Sequence, residues 1–193
     1  MNDGLRETRW LPERTDRDPD RVAVLIPGNG YTPDRPLLHF ARAVLLRHGW
    51  STRQLWWSTR PPADPQQWPA WVHDQVTAVL DQERASRVML VGKSLGTMAA
   101  TLAAERSLPA IWLTPLLDQP WLVGRLRRAT APALLVGGTA DPMWLPAVAR
   151  DLPHPWLECD GADHGLETDD DPVNSAQLLT RVVARMDAFV AGL

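Results

Sequence analysis

One stretch, residues 87–96, limits the possible folds of this chain more than any other. An apolar run at residues 88–91 ends in the sequence GKSLG, and a segment of helix-favouring composition follows it. Strand, sharp turn and helix around a serine between two glycines form the pattern of a nucleophile elbow. In such a turn the serine backbone is strained and its neighbours come close, so positions 92 and 96 require glycine. The pattern predicts that Ser94 projects its hydroxyl group above the end of a sheet.

Two glycine-containing sequences resemble phosphate-binding motifs, and each lacks a required residue. A P-loop ending at the GKS triplet needs a further glycine where the chain has Arg87. The sequence GNGYTP has Pro33 in place of the last glycine of a dinucleotide-binding fingerprint, and no acidic residue ends the next predicted strand. The sequence therefore excludes the P-loop and disfavours dinucleotide binding.

Apolar strand-like runs alternate with helix-like segments along the chain. The predicted strands are residues 21–27, 51–58, 88–91, 109–113, 133–138 and 155–159, with a further edge strand around residues 5–11. The predicted helices are residues 35–48, capped by Asp34, then 68–82, the segment after the elbow, 120–129, 144–152 and 172–190. Such alternation calls for right-handed crossovers. It predicts an α/β protein: a three-layer α/β/α sandwich with a mostly parallel sheet, in a single domain spanning residues 1–193.

Composition narrows the partners and the compartment. The chain has 193 residues, a net charge of −3 and no basic block, which disfavours nucleic acid and anionic membranes as partners. Its amino terminus is polar, and no run approaches the roughly 18 apolar residues of a membrane span. The single cysteine, Cys159, allows no internal disulfide and is predicted to be a small buried side chain. We expect a cytoplasmic protein.

Tryptophan is unusually frequent, with ten in the chain and five of them between positions 50 and 71. Large aromatic side chains supply buried area with a polar handle. We expect most of them to pack in the core and cover the sheet. Some are candidates for the wall of an apolar substrate pocket.

Three predicted strands end in loops that carry reactive side chains. Ser94 follows the third main strand, Asp141 the fifth and His164 the sixth. Ligands of parallel α/β sheets bind at these carboxyl ends. A serine hydroxyl needs a nearby base, which histidine provides, and a carboxylate on the far ring nitrogen stabilises the imidazolium. The sequence predicts that Ser94, His164 and Asp141 form a catalytic triad.

Alternatives exist for the acid. Asp118 follows the fourth predicted strand and is the main rival of Asp141, while Asp160 and Asp163 lie close to His164 in sequence. The other histidines lie on predicted helices or between elements. Lys93 is expected to face solvent or to pair with an acid at the end of the sheet.

The negative oxygen of a tetrahedral intermediate needs two hydrogen-bond donors. The backbone N–H of Leu95 is predicted to supply one, and the backbone N–H of Asn29 the other. Tyr31, Met143 and Trp144 lie in nearby loops, and two roles are open for them: the wall of a substrate pocket, or packing against each other.

The sequences RVAVLIPGNG, GKSLG, GGTADP and GADHG, in this order, resemble the α/β-hydrolase superfamily, and more narrowly its small bacterial members without a lid. The resemblance implies a serine hydrolase of small carboxylic esters or thioesters, which forms an acyl-enzyme on Ser94 and needs no cofactor or metal. Members of the family often have His-Gly ahead of the oxyanion residue. This chain has Pro27-Gly28, which leaves the choice between Asn29 and Gly30 open.

The connection between the fourth and fifth predicted strands is too short for the cap domain that many members of this family insert there, so we expect an open site. Two other functions stay open. The fold could serve as a catalytically silent binding module, or the same triad could act in an acyltransferase.

Overall fold

The computed structural model describes residues 18–193, and the edge strand predicted at residues 5–11 lies outside them. The strands are β1 (Asp18–Ile26), β2 (Trp50–Gln54), β3 (Arg87–Lys93), β4 (Ala110–Leu113), β5 (Ala133–Gly138) and β6 (Trp156–Cys159). The α-helices are α1 (Pro36–Arg47), α2 (Trp68–Leu80), α3 (Ala100–Arg106), α4 (Pro120–Arg128), α5 (Pro146–Asp151) and α6 (Pro172–Ala191). Short 3₁₀ helices span Pro65–Gln67 and Ser94–Ala99.

The six strands form one sheet in the order β2-β1-β3-β4-β5-β6, and every pairing is parallel. The chain builds outward from β1 to one edge, then crosses to β3 and continues to the other edge. The strand order therefore reverses between β1 and β3, and such a reversal opens a crevice at the carboxyl ends of the two strands. Ser94 directly follows β3, and Asn29 lies in the loop after β1.

Both faces of the sheet are covered by helices. Helices α1 and α6 bury one face, where Leu38 and Val182 pack with Leu25, Val91 and other strand residues. Helices α2, α3, α4 and α5 cover the opposite face in a second apolar cluster. Because the central strands are buried on both faces of the sheet, their sequences are continuous apolar runs. The predicted three-layer sandwich is confirmed.

Two local predictions at the edge of the sheet were wrong. Strand β2 ends at Gln54 rather than at residue 58, because Gln54 pairs with Leu25 and β1 stops one residue later, before Pro27. The apolar residues that follow Gln54 pack against the core without continuing the ladder. Asp34 does not cap α1: the N-cap is Arg35, whose side chain makes no capping bond, and Pro36 begins the helix.

Tryptophan packs mainly in the core, as expected. Trp50, Trp112 and Trp144 are buried. Trp57 and Trp71 are half-buried and stack on one another, with 4.7 Å between ring centroids. The aromatic side chains thus fix both the middle of the sheet and the loop that follows β2.

The connection between β4 and β5 contains only α4, so no cap domain lies over the carboxyl ends of the strands in residues 18–193. No helix in this part of the chain combines the length and the apolar character needed to cross a bilayer.

Gly137 in β5 provides a test of how tightly this sheet is packed. A Cβ atom at position 137 would collide with the indole ring of Trp144. We expect Gly137→Ala to lower the free energy of unfolding by about 1 to 3 kcal/mol or more, as overpacking of a core does. Urea denaturation measures this change.

Gly124 in α4 is the matched control, because a Cβ atom there meets nothing within 4 Å. Gly124→Ala should stabilise the protein by about 0.5 to 1 kcal/mol, since glycine weakens a helix relative to alanine. Equal effects of the two substitutions would contradict the packing described here.

Candidate active site

The turn at Ser94 has the strained geometry that the sequence pattern predicts. Ser94 has a φ angle of 51°, in the left-handed region that non-glycine residues rarely adopt. A Cβ atom at Gly92 would lie 2.6 Å from the carbonyl oxygen of Gly96, and one at Gly96 would collide with the carbonyl oxygen of Ile26. The hydroxyl of Thr97 donates a hydrogen bond of 2.6 Å to the Ser94 carbonyl. Both glycines are therefore required for β3, the turn and β1 to approach so closely.

Asp141 lies in the loop after β5, with its side chain fully buried. One carboxylate oxygen, Oδ1, accepts a hydrogen bond of 2.9 Å from the backbone N–H of Met143. The other oxygen, Oδ2, lies 2.7 Å from Nδ1 of His164. These two hydrogen bonds fix the orientation of the carboxylate, and Oδ2 is the oxygen that faces the imidazole ring.

His164, in the loop after β6, connects the acid to the serine. Its Nε2 atom lies 2.7 Å from Oγ of Ser94, and its Nδ1 atom faces Asp141. An ionised carboxylate only accepts hydrogen bonds, so Nδ1 donates to Asp141 and Nε2 is left to accept from the Ser94 hydroxyl. The imidazole side chain is 29% exposed while the carboxylate is covered, so a substrate can reach the serine end of this chain of hydrogen bonds.

The loop after β5, which carries Asp141 and is here called the acid loop, is hydrogen-bonded to the loop after β6, which carries His164 and is here called the histidine loop. The N–H of Ala140 donates to the carbonyl of Ala162 at 2.9 Å, and the hydroxyl of Thr139 accepts from the N–H of Gly161 at 2.7 Å. A Cβ atom at Gly138 would collide with Ala162, so the backbones are in direct contact. The loops therefore hold the carboxylate and the imidazole at a fixed separation before any substrate arrives.

The rival acids lie elsewhere or are engaged with other groups. Asp118 is exposed and accepts a hydrogen bond from the Gln119 side chain. Asp160 accepts from Thr139, and Asp163 accepts from the backbone N–H groups of Gly165 and Glu167, which orders the histidine loop. Among these carboxylates, Asp141 alone is hydrogen-bonded to His164.

Comparisons with known proteins bear on the fold. Searches against protein-family models and against curated protein sequences give no match. A serine hydrolase homologue from Coxiella burnetii is 16% identical, with a TM-score of 0.67 over 92% of this chain and 86% of that one. Est1E from Butyrivibrio proteoclasticus, with ferulic acid bound, is 13% identical, with a TM-score of 0.69 over 96% and 93%. An esterase from Pyrococcus furiosus is 14% identical, with a TM-score of 0.68 over 90% and 83%.

The chain has the α/β-hydrolase fold. In this fold the nucleophile follows a central strand at a sharp turn, and the acid and histidine follow later strands. Ser94, Asp141 and His164 occupy these places in the described chain.

The two predicted oxyanion donors come from different strand ends of the hydrolase fold. Leu95 lies in the first turn of the 3₁₀ helix that starts at Ser94, where backbone N–H groups have no partner within the helix. Asn29 is exposed, in a turn closed by a hydrogen bond of 3.2 Å from the Gly28 N–H to the Tyr31 carbonyl. Gly30 follows with a φ angle of 73°, so the turn needs glycine there.

The predicted pocket residues have different outcomes. Trp144 is a core residue: it is 2% exposed, covers Gly137 and donates to Glu158, so the prediction that it lines a substrate pocket was wrong. Met143 is partly buried and packs against the same apolar cluster. Tyr31 lines a cavity of about 400 Å³ next to the histidine loop.

A second cavity, of about 550 Å³, reaches Asn29 from the side of β2 and is lined by Trp57 and Trp68. Openings therefore lie next to the turn after β1 and next to the loop after β6. Residues 18–193 contain no cluster of histidine, cysteine, aspartate or glutamate that is arranged to hold a metal ion.

Lys93 was predicted to face solvent or an acid, and it is instead 4% exposed. Its Nζ atom lies 4.8 Å from the centre of the Tyr31 ring. Burial lowers the pKa of Lys93 to about 8, against the opposing influence of Asp141 and Asp163, which raise it. Lys93 is the last residue of β3, and the sequence predicted either solvent or an acid beside it. The Tyr31 ring that it contacts comes from a distant loop.

Lys93 is the only lysine of the chain, and this makes its protonation directly measurable. Selective ¹³C labelling at lysine Cε should give one side-chain NMR signal. We expect that signal to titrate with a midpoint near pH 8, as its burial implies, rather than near the ordinary value of 10.5. A midpoint near the ordinary value would contradict the buried position.

The same shift predicts how stability depends on pH. The folded chain releases the Lys93 proton at lower pH than the unfolded chain, so the unfolding free energy gains about 1.4 kcal/mol per pH unit between pH 8 and 10.5. Lys93→Met lacks this gain and should be more stable than the parent by about 3 kcal/mol at pH 7. Urea denaturation of both proteins from pH 7 to 9.5 measures the difference, which should shrink as the pH rises.

Proposed function

We propose that this protein is a serine hydrolase that cleaves small carboxylic esters or thioesters through an acyl-enzyme on Ser94. The observation that carries the proposal is the pair of 2.7 Å contacts that joins Ser94 Oγ, the His164 ring and the Asp141 carboxylate. A serine hydroxyl is nearly always protonated at neutral pH and attacks a carbonyl only when a base removes its proton. His164 lies within the distance that such a transfer requires.

The first half-reaction forms the acyl-enzyme. Ser94 Oγ bonds to the carbonyl carbon of the substrate while its proton passes to His164 Nε2, and the carbonyl oxygen becomes an oxyanion. The tetrahedral intermediate then collapses: the bond to the leaving alcohol or thiol breaks, and that group takes the proton from Nε2. The product of this step is an ester of Ser94.

The second half-reaction returns the enzyme to its starting state. His164 Nε2 takes a proton from a water molecule, whose oxygen bonds to the acyl carbon. The bond between that carbon and Ser94 Oγ breaks, Ser94 recovers the proton, and the carboxylic acid leaves. Throughout, Asp141 holds the tautomer of the imidazole and stabilises its positive form.

Two backbone donors serve the oxyanion in this proposal. Leu95 follows Ser94 directly, in the first turn of a 3₁₀ helix whose leading N–H groups have no partner within the helix. The N–H of Asn29 comes from the exposed turn after β1. Loss of one such donor typically costs about 3 kcal/mol of transition-state stabilisation.

The uncovered carboxyl ends of the strands support small substrates. Only α4 separates β4 from β5 in the described chain, and the two cavities next to the turn after β1 and the loop after β6 do not include Ser94 in their lining. The solved structures with the same fold include proteins named esterases, which agrees with ester cleavage. The same openness favours one second candidate, acyl transfer to an alcohol or amine that enters in place of water.

Ser94→Ala and His164→Ala should each lower the turnover of a simple aryl ester by at least ~10³-fold while the protein stays folded. The Ser94 hydroxyl is the proposed nucleophile and the His164 imidazole removes its proton. Loss of either side chain therefore prevents attack on the ester. Initial rates with an aryl acetate and circular dichroism measure the two properties.

A fluorophosphonate probe separates this proposal from a silent binding module. The parent protein should be labelled stoichiometrically, and Ser94→Ala should not be labelled. Folded parent protein that stays unlabelled would rule out an activated serine.

Asp141→Asn should lower turnover by about 10⁴-fold, because an amide in place of the carboxylate favours the wrong imidazole tautomer. Asp118→Asn is the matched control, since Asp118 is exposed and bonded to Gln119. We expect its turnover to match the parent. Equal losses of turnover in the two variants would contradict the assignment of Asp141 as the acid of the triad.

A further inference from the structure

Lys93, which is 4% exposed, has no place in the proposed chemistry. Within residues 18–193 it makes neither a hydrogen bond nor an ion pair, and its close contact is with the face of the Tyr31 ring at 4.8 Å. Apart from histidine, every other basic residue in the chain is an arginine. A buried cation that lacks a counter-ion contact reduces the stability of a fold, so its presence next to the elbow calls for another reason.

The contacts of the turn after β1 supply that reason. This turn, residues 28–31 and here called the oxyanion turn, packs directly on Lys93. A Cβ atom at Gly28 would lie 3.3 Å from both Cδ and the carbonyl oxygen of Lys93, and 3.2 Å from Cβ of Tyr31. Gly28 is thus enclosed between the lysine stem on β3 and the tyrosine that the lysine cation contacts.

Other bonds hold the two ends of the oxyanion turn. The indole N–H of Trp57 donates to the Gly28 carbonyl at 3.1 Å. The Tyr31 hydroxyl accepts from the Leu37 N–H of α1 at 2.9 Å. Between these ends Asn29 and Gly30 are exposed, so Lys93 and its cation–π contact provide the connection from the turn back to the nucleophile strand.

We propose that Lys93 is a positioning residue, whose stem and cation hold the oxyanion turn against β3 and so fix the Asn29 N–H relative to Ser94. This inference rests on the proposed function, because it concerns the oxyanion donor of that reaction. Lys93 acts through Tyr31 and touches no reacting atom. A displaced donor stabilises the oxyanion poorly while substrate binding is little changed, so the effect belongs in kcat.

The charges around the contact determine how it responds to pH. Tyr31 faces Lys93 from the oxyanion turn, Asp141 from the loop after β5 and Asp163 from the loop after β6. Burial raises the pKa of Tyr31 to about 12, so the ring stays neutral when Lys93, with its pKa lowered to about 8, loses its proton. Above pH 8 the cation is lost and the ring no longer attracts Nζ.

A purely structural lysine and a positioning lysine predict different outcomes. If Lys93 served stability, its replacement would weaken the fold and the activity together. Because its charge is desolvated, we expect Lys93→Met to be more stable and yet slower. Stability and kcat moving in opposite directions is the signature of positioning.

The experiment compares the parent protein with Lys93→Met and Lys93→Arg in hydrolysis of an aryl acetate between pH 6.5 and 9.5. Release of the phenol is followed at its isosbestic wavelength. Methionine keeps the stem without the charge, and arginine keeps a charge that is not lost in this range. We expect Lys93→Met to lower kcat about 10- to 100-fold at pH 7 with KM nearly unchanged. The parent should lose rate as the pH rises through 8, and neither variant should show that loss. Lys93→Arg should recover part of the rate at pH 7.

A second pair of variants tests the ring and does not depend on how position 93 tolerates change. Tyr31→Phe keeps the ring under the cation, whereas Tyr31→Leu removes it. We expect Tyr31→Leu to lower kcat further than Tyr31→Phe and to abolish the fall in rate above pH 8.

Outcomes distinguish this inference from the proposed function. If the parent is labelled at Ser94 by the fluorophosphonate and Lys93→Met keeps the parent kcat, or keeps the alkaline fall in rate, the positioning role is wrong and the hydrolase stands. A change in KM with kcat unchanged in Lys93→Met would also overturn it. If the folded parent is not labelled at all, both proposals fail together.

Discussion

The close approach of Gly96 to the Ile26 carbonyl is the contact on which the site depends. It brings the turn after β3 against the end of β1, forces Ser94 into a left-handed backbone conformation and places its hydroxyl at the point where the strand order reverses. The oxyanion turn leaves β1 directly after this contact. This backbone contact therefore sets where the turn after β1 begins relative to Ser94, and the side chain of Lys93 packs against the part of the turn that follows.

The two sides of the site are held by different forces. On the side of β5 and β6, backbone hydrogen bonds join the acid loop to the histidine loop, and such bonds are insensitive to pH. On the side of β1, the oxyanion turn contacts β3 through Gly28, which packs against the stem and the carbonyl of Lys93, and through the Lys93 cation over the Tyr31 ring. The fold thus accepts a largely desolvated charge where the oxyanion turn meets β3, while the hydrogen bond from Trp57 joins the same turn to the loop after β2. Strain of this kind is typical of functional sites.

Much of the architecture could be predicted because buried parallel strands need continuous apolar sequence, and the bounds of β5 match the prediction. The three side chains Ser94, Asp141 and His164 were chosen from their positions at strand ends, and the structure brings them within hydrogen-bonding distance. Their catalytic roles stay predictions. Trp144 and Lys93 were misjudged because their surroundings come from distant parts of the chain: the space over Gly137 and the ring of Tyr31 leave no local trace in the sequence.

The position of Lys93 has a consequence for handling the protein. A protease specific for lysyl bonds finds one cleavable bond in the whole chain, between Lys93 and Ser94, and that bond lies inside the tightest turn of the molecule. Cleavage there requires that the elbow open, so the rate of a single cut reports the population of molecules in which the centre of the sheet has come apart. The two fragments would divide the chain immediately before Ser94, its proposed nucleophile.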